Sequence, residues 1–364
     1  MDYKYKFQNL CNWIIENGGQ VNHKISIEET PHGRSIKSIE VIDTDEVLFN
    51  IPKNLLLNLS NTDLQIEGDI SEKCSTVIAL LYEIKREESF WQPYIDILPH
   101  MKELETHPII LNLVGKFPTI SNTINNNLIL SQQELSHTIE FITKNNLIQE
   151  ILIEEIIWAY VIVSTRMWTK FGLVPLADMF QHKNDSEIFL KEYDEDFVGM
   201  VNNAAINSDQ TIFDNYNIKD DIQLFTNWGF IDYTKECFIN LYFENIENLE
   251  DFEDKTFLSI NNFPPQNFYL DRIKMLNRED IKSKLYLKPL SNDLEIKVAE
   301  SLIERIKKLE INEEIVELKK TVKKYNRSSI ESQIIDLMKK IEILLEVNIK
   351  YLEDYSNGLQ IRKP

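Results

Sequence analysis

The stretch LVPLADMFQHKNDSEIFL, residues 173–190, decides the fold of this 364-residue chain. Apolar residues lead into Asp178, a Gln181-His182 pair follows, and a polar run closes the stretch. The pattern predicts a buried strand over 173–180 whose polar end emerges into a turn. A lone histidine in such a place is more often structural than a ligand, so the stretch alone assigns no chemistry.

Charge and composition limit the classes of partner. The chain carries 39 basic and 59 acidic residues, a formal net charge of −20, and an acidic field repels a phosphate backbone. We therefore expect no nucleic-acid partner. The longest apolar runs, such as IIWAYVIV at 156–163, are too short to span a bilayer, so we expect no membrane partner. Hydrophobic residues make up 43% of the chain, enough to bury a substantial core.

The cysteines and short motifs exclude several kinds of site. Cys11, Cys74 and Cys237 are far apart and form no C-x-x-C pair, so we expect neither a metal site nor a disulfide framework. No nucleophile elbow or glycine-rich phosphate loop occurs. The N-terminus lacks the apolar core of a signal peptide. We expect a soluble cytoplasmic protein, with the nucleus as the alternative location.

The periodicity of apolar residues predicts an α+β organisation. A helix at 7–17 ends at Gly18-Gly19, residues 20–57 form short strands and turns, and Ser71 caps a helix that runs through Lys85. The remaining predicted elements are a helical stretch at 131–167, strands at 173–180, 187–190, 197–201 and 210–213, and long amphipathic helices from 292. This order indicates a β domain split by a helical insertion and followed by a helical tail.

Five ordered segments carry a resemblance to a known family. They are PHGRSIKSIEVIDTDEVLFNIPKNLLL at 31–57, SFWQPYIDILP at 89–99, STRMW at 164–168, VPLADMFQH at 174–182 and TIFDNYNIKDDIQLFTNWGFI at 211–231. Together they resemble the split SET-domain protein methyltransferases, in the branch that includes the Rubisco large-subunit lysine and actin-histidine methyltransferases. The resemblance implies a SET domain at 1–235 with an insertion at about 70–165. It also implies an all-helical, substrate-binding-like domain at 236–364.

The resemblance implies specific site residues. Tyr216 matches the family's catalytic tyrosine, and Arg166 matches the arginine that holds the carboxylate of S-adenosylmethionine. The full set implied to contact this cofactor is His32, Gly33, Arg34, Arg166, Asp178, Gln181, His182, Tyr216, Phe225 and Trp228. Three residues depart from the family pattern: Gln181 replaces Asn, Ser35 replaces the second glycine of G-R-G, and Asn217 replaces the glycine after the tyrosine.

The implied function is S-adenosylmethionine-dependent protein-lysine N-methylation. We expect a non-histone protein substrate with an exposed lysine, and a monomeric enzyme. The chemistry needs alignment of a neutral amine with the methyl group rather than a metal. The three departures motivate one alternative, a SET-fold binding module with weak catalysis. A second alternative is protein-histidine methylation, which occurs in the related branch.

Overall fold

A computed structural model describes residues 3–30, 33–111, 122–183, 185–193, 195–216, 221–231, 239–242, 255–258, 291–307 and 329–361. The chain divides into two compact units, one of residues 1–111 with 130–218 and one of 112–129 with 219–364. The predicted domain boundary at 235 stays a prediction, since residues 232–238 lie outside the described ranges. Most of the predicted insertion belongs to the first unit.

Local capping and turn residues set where the first helix ends and the second helix begins. Helix α1 spans Tyr3–Glu16 and ends before Gly18, whose φ of +89° suits a residue without a Cβ. Helix α2 spans Glu72–Ile84, and the hydroxyl of Ser71 accepts a hydrogen bond from the Cys74 amide at 3.1 Å, as the sequence predicts. The further helices are α3 (Gln92–Ile95), α4 (Asn122–Lys144) and α5 (Ile153–Arg166).

Short strands of the first unit form two four-stranded sheets. One has the order β1-β4-β9-β8 and the other the order β2-β3-β10-β7. Strands β7 and β10 run parallel, and about 30 residues of chain separate them. Strand β3 runs antiparallel to both of its neighbours, β2 and β10. The strands are β1 Gln20–Val21, β2 Ile25–Thr30, β3 Gly33–Ser38, β4 Val47–Pro52, β5 Met167–Trp168, β6 Gly172–Leu173, β7 Gln181–His182, β8 Lys191–Glu192, β9 Phe197–Val201 and β10 Thr211–Asp214.

Three sequence predictions for this unit are wrong in detail. The strand predicted over 173–180 ends at Leu173 and gives way to a 3₁₀ turn at Ala177–Met179. Pro175 has no amide to donate to a ladder, and Leu176 takes a left-handed φ of +73°, so the chain turns while its apolar side chains stay buried. The helical stretch predicted over 131–167 is interrupted at 145–152. The strand predicted over 187–190 is irregular chain that precedes β8.

One continuous apolar core holds the first unit together. Helices α2 and α5 pack against each other, and α1 packs on β2. Both Val77 of α2 and Ile162 of α5 are fully buried. The packed core therefore holds two segments in place, the C-terminal end of α5 and the turn at Ala177–Met179.

The second unit is mainly helical. It contains α6 (Asp221–Trp228), α7 (Asn292–Lys307) and α8 (Ser329–Ile361), and α7 packs against α8. Strands β11 (Ile239–Tyr242) and β12 (Lys255–Leu258) form an antiparallel pair that the prediction of an all-helical domain did not include. Each strand is only four residues long, too short for alternation to reveal it. The predicted α+β class and helical C-terminal region are confirmed.

Candidate active site

Arg166 and Asp178 form a buried ion pair where α5 ends. Arg166 is the last residue of α5, and Asp178 lies in the 3₁₀ turn at Ala177–Met179. The Arg166 Nη1 donates to the backbone oxygen of Asp178 at 2.6 Å and lies 3.3 Å from its Oδ2. The Asp178 side chain has no solvent exposure. Two contacts to one residue fix the guanidinium against the turn.

Tyr94 completes this cluster from the helical insertion. Its hydroxyl donates to Asp178 Oδ2 at 2.9 Å, and its side chain is fully buried. The indole of neighbouring Trp91 donates to the Leu55 backbone oxygen at 2.9 Å and so anchors the segment. The W-x-P-Y segment therefore supplies a hydrogen-bond donor to the site. Sequence reasoning quoted this segment but did not assign Tyr94 to the site.

Burial and charge act in opposite directions on the Asp178 carboxyl. Burial raises its pKa, while the Arg166 charge and the hydrogen bond from Tyr94 lower it. Burial also raises the pKa of Tyr94, and the Asp178 charge adds to that rise. Asp178 Oδ1 and Arg166 Nε have no hydrogen-bond partner among the described residues. These atoms leave polar capacity for a ligand.

A small cavity of about 10 Å³ opens at the ion pair. Its lining combines two guanidiniums and one carboxylate with apolar side chains: Arg34, Arg166, Asp178, Ile27, Ile97, Leu98 and Met179. A larger open depression lies at Lys53 and Glu192, and these two charges already pair with each other. The cavity at Arg166 is the one that contains predicted site residues.

Arg34 lies on the opposite wall of this cavity. It follows Gly33, whose φ of +108° places it in the left-handed region. The Arg34 Nη1 donates to the Ile97 backbone oxygen at 2.5 Å, its Nη2 lies 3.4 Å from Glu103, and its guanidinium stacks on the Tyr3 ring at 4.2 Å. Burial lowers its pKa, and the nearby charge of Arg166 contributes to that lowering. Two guanidinium groups, those of Arg34 and Arg166, therefore line one cavity.

Gln181 bonds to the β2–β3 hairpin. Its Nε2 donates to the Thr30 hydroxyl at 3.0 Å, and that hydroxyl lies 3.0 Å from the Gly33 backbone oxygen. The extra methylene relative to asparagine supplies this reach. The departure at Gln181 therefore links β7 to the turn that carries Gly33 and Arg34.

His182 and Tyr216 contact each other directly. The Tyr216 amide donates to His182 Nδ1 at 3.1 Å, and the two rings lie 4.9 Å apart. The Tyr216 hydroxyl donates to the Phe180 backbone oxygen at 2.9 Å. Burial raises the pKa of Tyr216, and the Asp214 charge raises it further, so the hydroxyl stays protonated at neutral pH.

Asp214 is a buried acid that sequence reasoning missed. It ends β10 and pairs in register with His182 of β7. Its residue is 1% exposed, and neither carboxylate oxygen has a hydrogen-bond partner of normal geometry among the described residues. Burial raises its pKa to about 7, against a smaller lowering by the Asn215 amide. Every second residue of β10 is buried, and Asp214 occupies one of these buried positions, two residues after Ile212. An acid at such a position is the sequence signal that could have identified it.

Three predicted site residues are not part of this constellation. His32 lies outside the described residues. Phe225 and Trp228 belong to α6 of the second unit, where Phe225 is fully buried and Trp228 is half-buried. Their predicted roles stay predictions. The structure brings Arg34, Arg166 and Asp178 together at the cavity, and it joins His182 to Tyr216.

Solved structures share this fold over nearly the whole chain. The SET domain of LSMT bound to lysine and AdoHcy has a TM-score of 0.71 and 16% identity, covering 98% of this chain and 92% of that one. This chain has the SET-domain fold. The resemblance predicted from the sequence is confirmed. Rubisco LSMT bound to AdoMet is a second neighbour, with a TM-score of 0.65, 16% identity and coverage of 97% and 93%.

Curated relatives match at low identity. The [fructose-bisphosphate aldolase]-lysine N-methyltransferase of Arabidopsis thaliana is 24% identical over 198 residues, 48% of this chain and 39% of the relative. The Rubisco large-subunit N-methyltransferase of Pisum sativum is 20% identical over 306 residues, which cover 72% of this chain and 59% of that relative. Human actin-histidine N-methyltransferase is 26% identical over 102 residues, which cover 26% of this chain and 17% of that relative. The matches span well under two thirds of these relatives. No family model matches the chain.

The described ranges also bear on metal and membrane sites. Among those residues, no group of three or more His, Cys, Asp or Glu side chains is placed to hold a metal ion. No described helix is long and apolar enough to cross a membrane.

Proposed function

We propose that this chain is an S-adenosylmethionine-dependent protein-lysine N-methyltransferase that acts on a non-histone protein. The SET-domain fold with Arg166, Asp178 and Tyr216 gathered in one unit is the observation that carries the proposal. Both plant relatives are named as lysine or Rubisco large-subunit methyltransferases, and their named substrates are not histones. These names support the choice of a non-histone protein substrate.

The charged groups that line the cavity are complementary to the charged end of this cofactor. S-adenosylmethionine, when bound, supplies a methyl group on a positively charged sulfur. The Arg166 guanidinium would hold the cofactor's carboxylate, because its Nε lacks a partner and Arg34 adds positive charge. The unpaired Asp178 Oδ1 can accept from the cofactor's ammonium. Gly33, Gln181 and His182 would line the same end, and His32, Phe225 and Trp228 stay assigned to the cofactor by resemblance alone.

Tyr216 is the proposed catalytic residue. Its raised pKa keeps the phenol neutral, and its hydroxyl is held by the Phe180 backbone oxygen. A fixed neutral oxygen dipole polarises the methyl group and orients the attacking amine without a competing negative charge. The contact of its amide with His182 fixes the chain that carries the phenol. Tyr216 therefore serves alignment rather than acid-base chemistry.

The partners and location stay proposals based on composition and cysteine use. We propose a monomer in the cytoplasm, because the described cysteines, Cys11 and Cys74, are free buried thiols. The chain's net charge of −20 favours a substrate protein with a basic surface around the target lysine.

Labelling a lysate tests this function. The full chain is incubated with methyl-labelled S-adenosylmethionine and a cell lysate, and the labelled residue is identified by mass spectrometry. We expect label on a lysine of one or a few proteins, and loss of that label with Tyr216→Phe. Label on histidine would favour the histidine alternative. An absence of label together with cofactor binding would favour the binding module.

A further inference from the structure

Asp214 occupies an unusual place next to Tyr216. A carboxylate this deeply buried ordinarily has a cation or several donors, because an isolated buried charge is costly. Asp214 is 1% exposed and has no hydrogen-bond partner of normal geometry among residues of the described ranges. The Asn215 amide beside it donates to the Ile188 backbone oxygen at 3.0 Å. Within the described part of the chain, no cation therefore balances this carboxyl.

The strand register fixes which groups face Asp214. Asp214 pairs with His182 of β7, and Ile212 pairs with Ile36 of β3. Alternate residues of a strand share a face, so Asp214 shares the face of Ile212, and Arg34 shares the face of Ile36. The titratable groups on this face are thus His182, Arg34, the following Tyr216 and the exposed Glu29, which pairs in register with Arg34.

None of these neighbours neutralises Asp214. Arg34 is engaged by the Ile97 oxygen and Glu103, and His182 accepts a hydrogen bond from the Tyr216 amide through Nδ1. On the other face, Lys183 has its Nζ 5.8 Å from the Phe213 ring centre. The Asp214 charge acts on the Tyr216 phenol, which also feels Arg166 and Asp178. The carboxyl therefore lies within electrostatic range of the hydroxyl at which the amine would be methylated.

We propose that the Asp214 carboxylate is the counter-charge and proton acceptor for the substrate lysine at Tyr216. This inference rests on the proposed function. The incoming side chain arrives as an ammonium, and pairing with Asp214 supplies the missing positive charge. One ammonium N–H bond then breaks, an O–H bond forms on the carboxylate, and the electron pair left on nitrogen becomes the nucleophile. In a low-dielectric site, this transfer converts a buried ion pair into two neutral groups.

The proton balance is consistent with the overall reaction. Methylation of a lysine ammonium by a sulfonium releases one proton. Asp214 would take that proton and pass it to solvent after each turnover. An acid with a pKa near 7 accepts and releases a proton readily at neutral pH, which suits this role.

The pH dependence of turnover tests the proposal. Wild type, Asp214→Asn and the control Asp209→Asn are compared on a peptide that contains the lysine found by labelling. Asp209 is exposed at 80% of its side chain, and its φ of +61° is one that asparagine accepts. For wild type we expect kcat/KM to rise through about pH 7 and then level off. Asp214→Asn loses about 10²–10³-fold at pH 7.5 and keeps rising toward the lysine pKa near ~10.

A second readout does not use activity. The stability of wild type relative to Asp214→Asn is measured in urea from pH 5 to pH 8.5, and we expect the difference to change with pH through the titration of Asp214. A pH-independent difference, or a wild-type rate profile in Asp214→Asn, overturns the proposal. If wild type binds no S-adenosylmethionine and labels no protein, the proposed function itself fails. Methylation with an unchanged profile in Asp214→Asn sinks only this inference.

Discussion

Asp178 and Asp214 are both buried carboxyl groups of the first unit, but their surroundings differ. Asp178 accepts from Tyr94 at 2.9 Å and pairs with Arg166 at 3.3 Å. Asp214 has neither a cation nor a donor of normal geometry among the described residues. Burial raises the pKa of both, and in Asp178 the partners oppose that rise. We infer that the paired acid holds the site together and the unpaired acid is available to a substrate.

Removing the paired acid should cause the largest loss of stability. Asp178→Ala leaves the partly buried Arg166 guanidinium without its counter-charge and the Tyr94 hydroxyl without its acceptor, at an expected cost of about 3 kcal/mol of unfolding free energy. Urea denaturation at pH 7 measures the loss. Asp209→Asn removes an exposed charge that pairs with Lys37 and keeps a residue type that accepts the local φ of +61°, so it serves as the control, with an expected loss below about 1 kcal/mol. Equal losses in both variants would contradict the structural role of Asp178.

Replacing the unpaired acid should stabilise the protein at high pH. The folded-state pKa of Asp214 is raised from 3.8 to about 7, so the folded protein binds the proton more tightly than the unfolded chain. This group's contribution to stability therefore falls as pH rises from about 4 to 7 and stays low above 7. The change corresponds to about 4 kcal/mol. We expect Asp214→Asn to gain on wild type by up to that amount between pH 4 and pH 8, measured by urea denaturation.

Tyr216 lies in the field of both acids, and its hydroxyl should matter to rate more than to binding. Tyr216→Phe is expected to lower kcat and kcat/KM together by about 10²–10³-fold while the Kd of the cofactor holds. Loss of the bond to the Phe180 oxygen should cost about 1 kcal/mol of stability. Rates at saturating cofactor and a calorimetric Kd separate the two effects. A variant that keeps more than about a third of the wild-type rate would remove Tyr216 from catalysis.

Changing Gln181, which bonds to the β2–β3 hairpin, should have the smallest effect on stability. Gln181→Asn shortens the side chain and releases the Thr30 hydroxyl, at an expected cost of about 0.5–1.5 kcal/mol in unfolding free energy. Thr30→Val removes this bond together with the bond of the Thr30 hydroxyl to the Gly33 backbone oxygen, so the double variant should cost little more than Thr30→Val alone. Full additivity in the double variant would mean that the two side chains do not interact in solution.

Local chemistry made much of the fold predictable. The Ser71 cap, the helix stop before Gly18 and the strand at Phe197–Val201 follow from turn residues and periodicity over a few positions. The turn at Pro175 and Leu176 escaped prediction because an apolar run looks the same in a buried strand and in a buried turn.

The site could be predicted only in part. The ordered segments made Arg166, Asp178 and Tyr216 candidate site residues, because these positions match the family motifs. The bond from Tyr94 to Asp178 joins positions 84 residues apart, and no local pattern encodes it. The role of Asp214 depends on burial, which follows from the pairing of β10 with both β3 and β7. Long-range pairing of this kind is set by tertiary structure rather than by local sequence.

Calorimetric titration of S-adenosylmethionine into wild type and Arg166→Ala tests the central claim most directly. We expect saturable binding to one site in wild type. In Arg166→Ala the affinity should fall by about 1.5–3 kcal/mol, or roughly 10- to 150-fold, because a charge-assisted contact to the cofactor's carboxylate is lost. Arg86→Ala, which removes a surface arginine paired with Asp63, should bind as wild type does. No heat from wild type at millimolar cofactor would contradict the account, and so would equal affinities of wild type and Arg166→Ala.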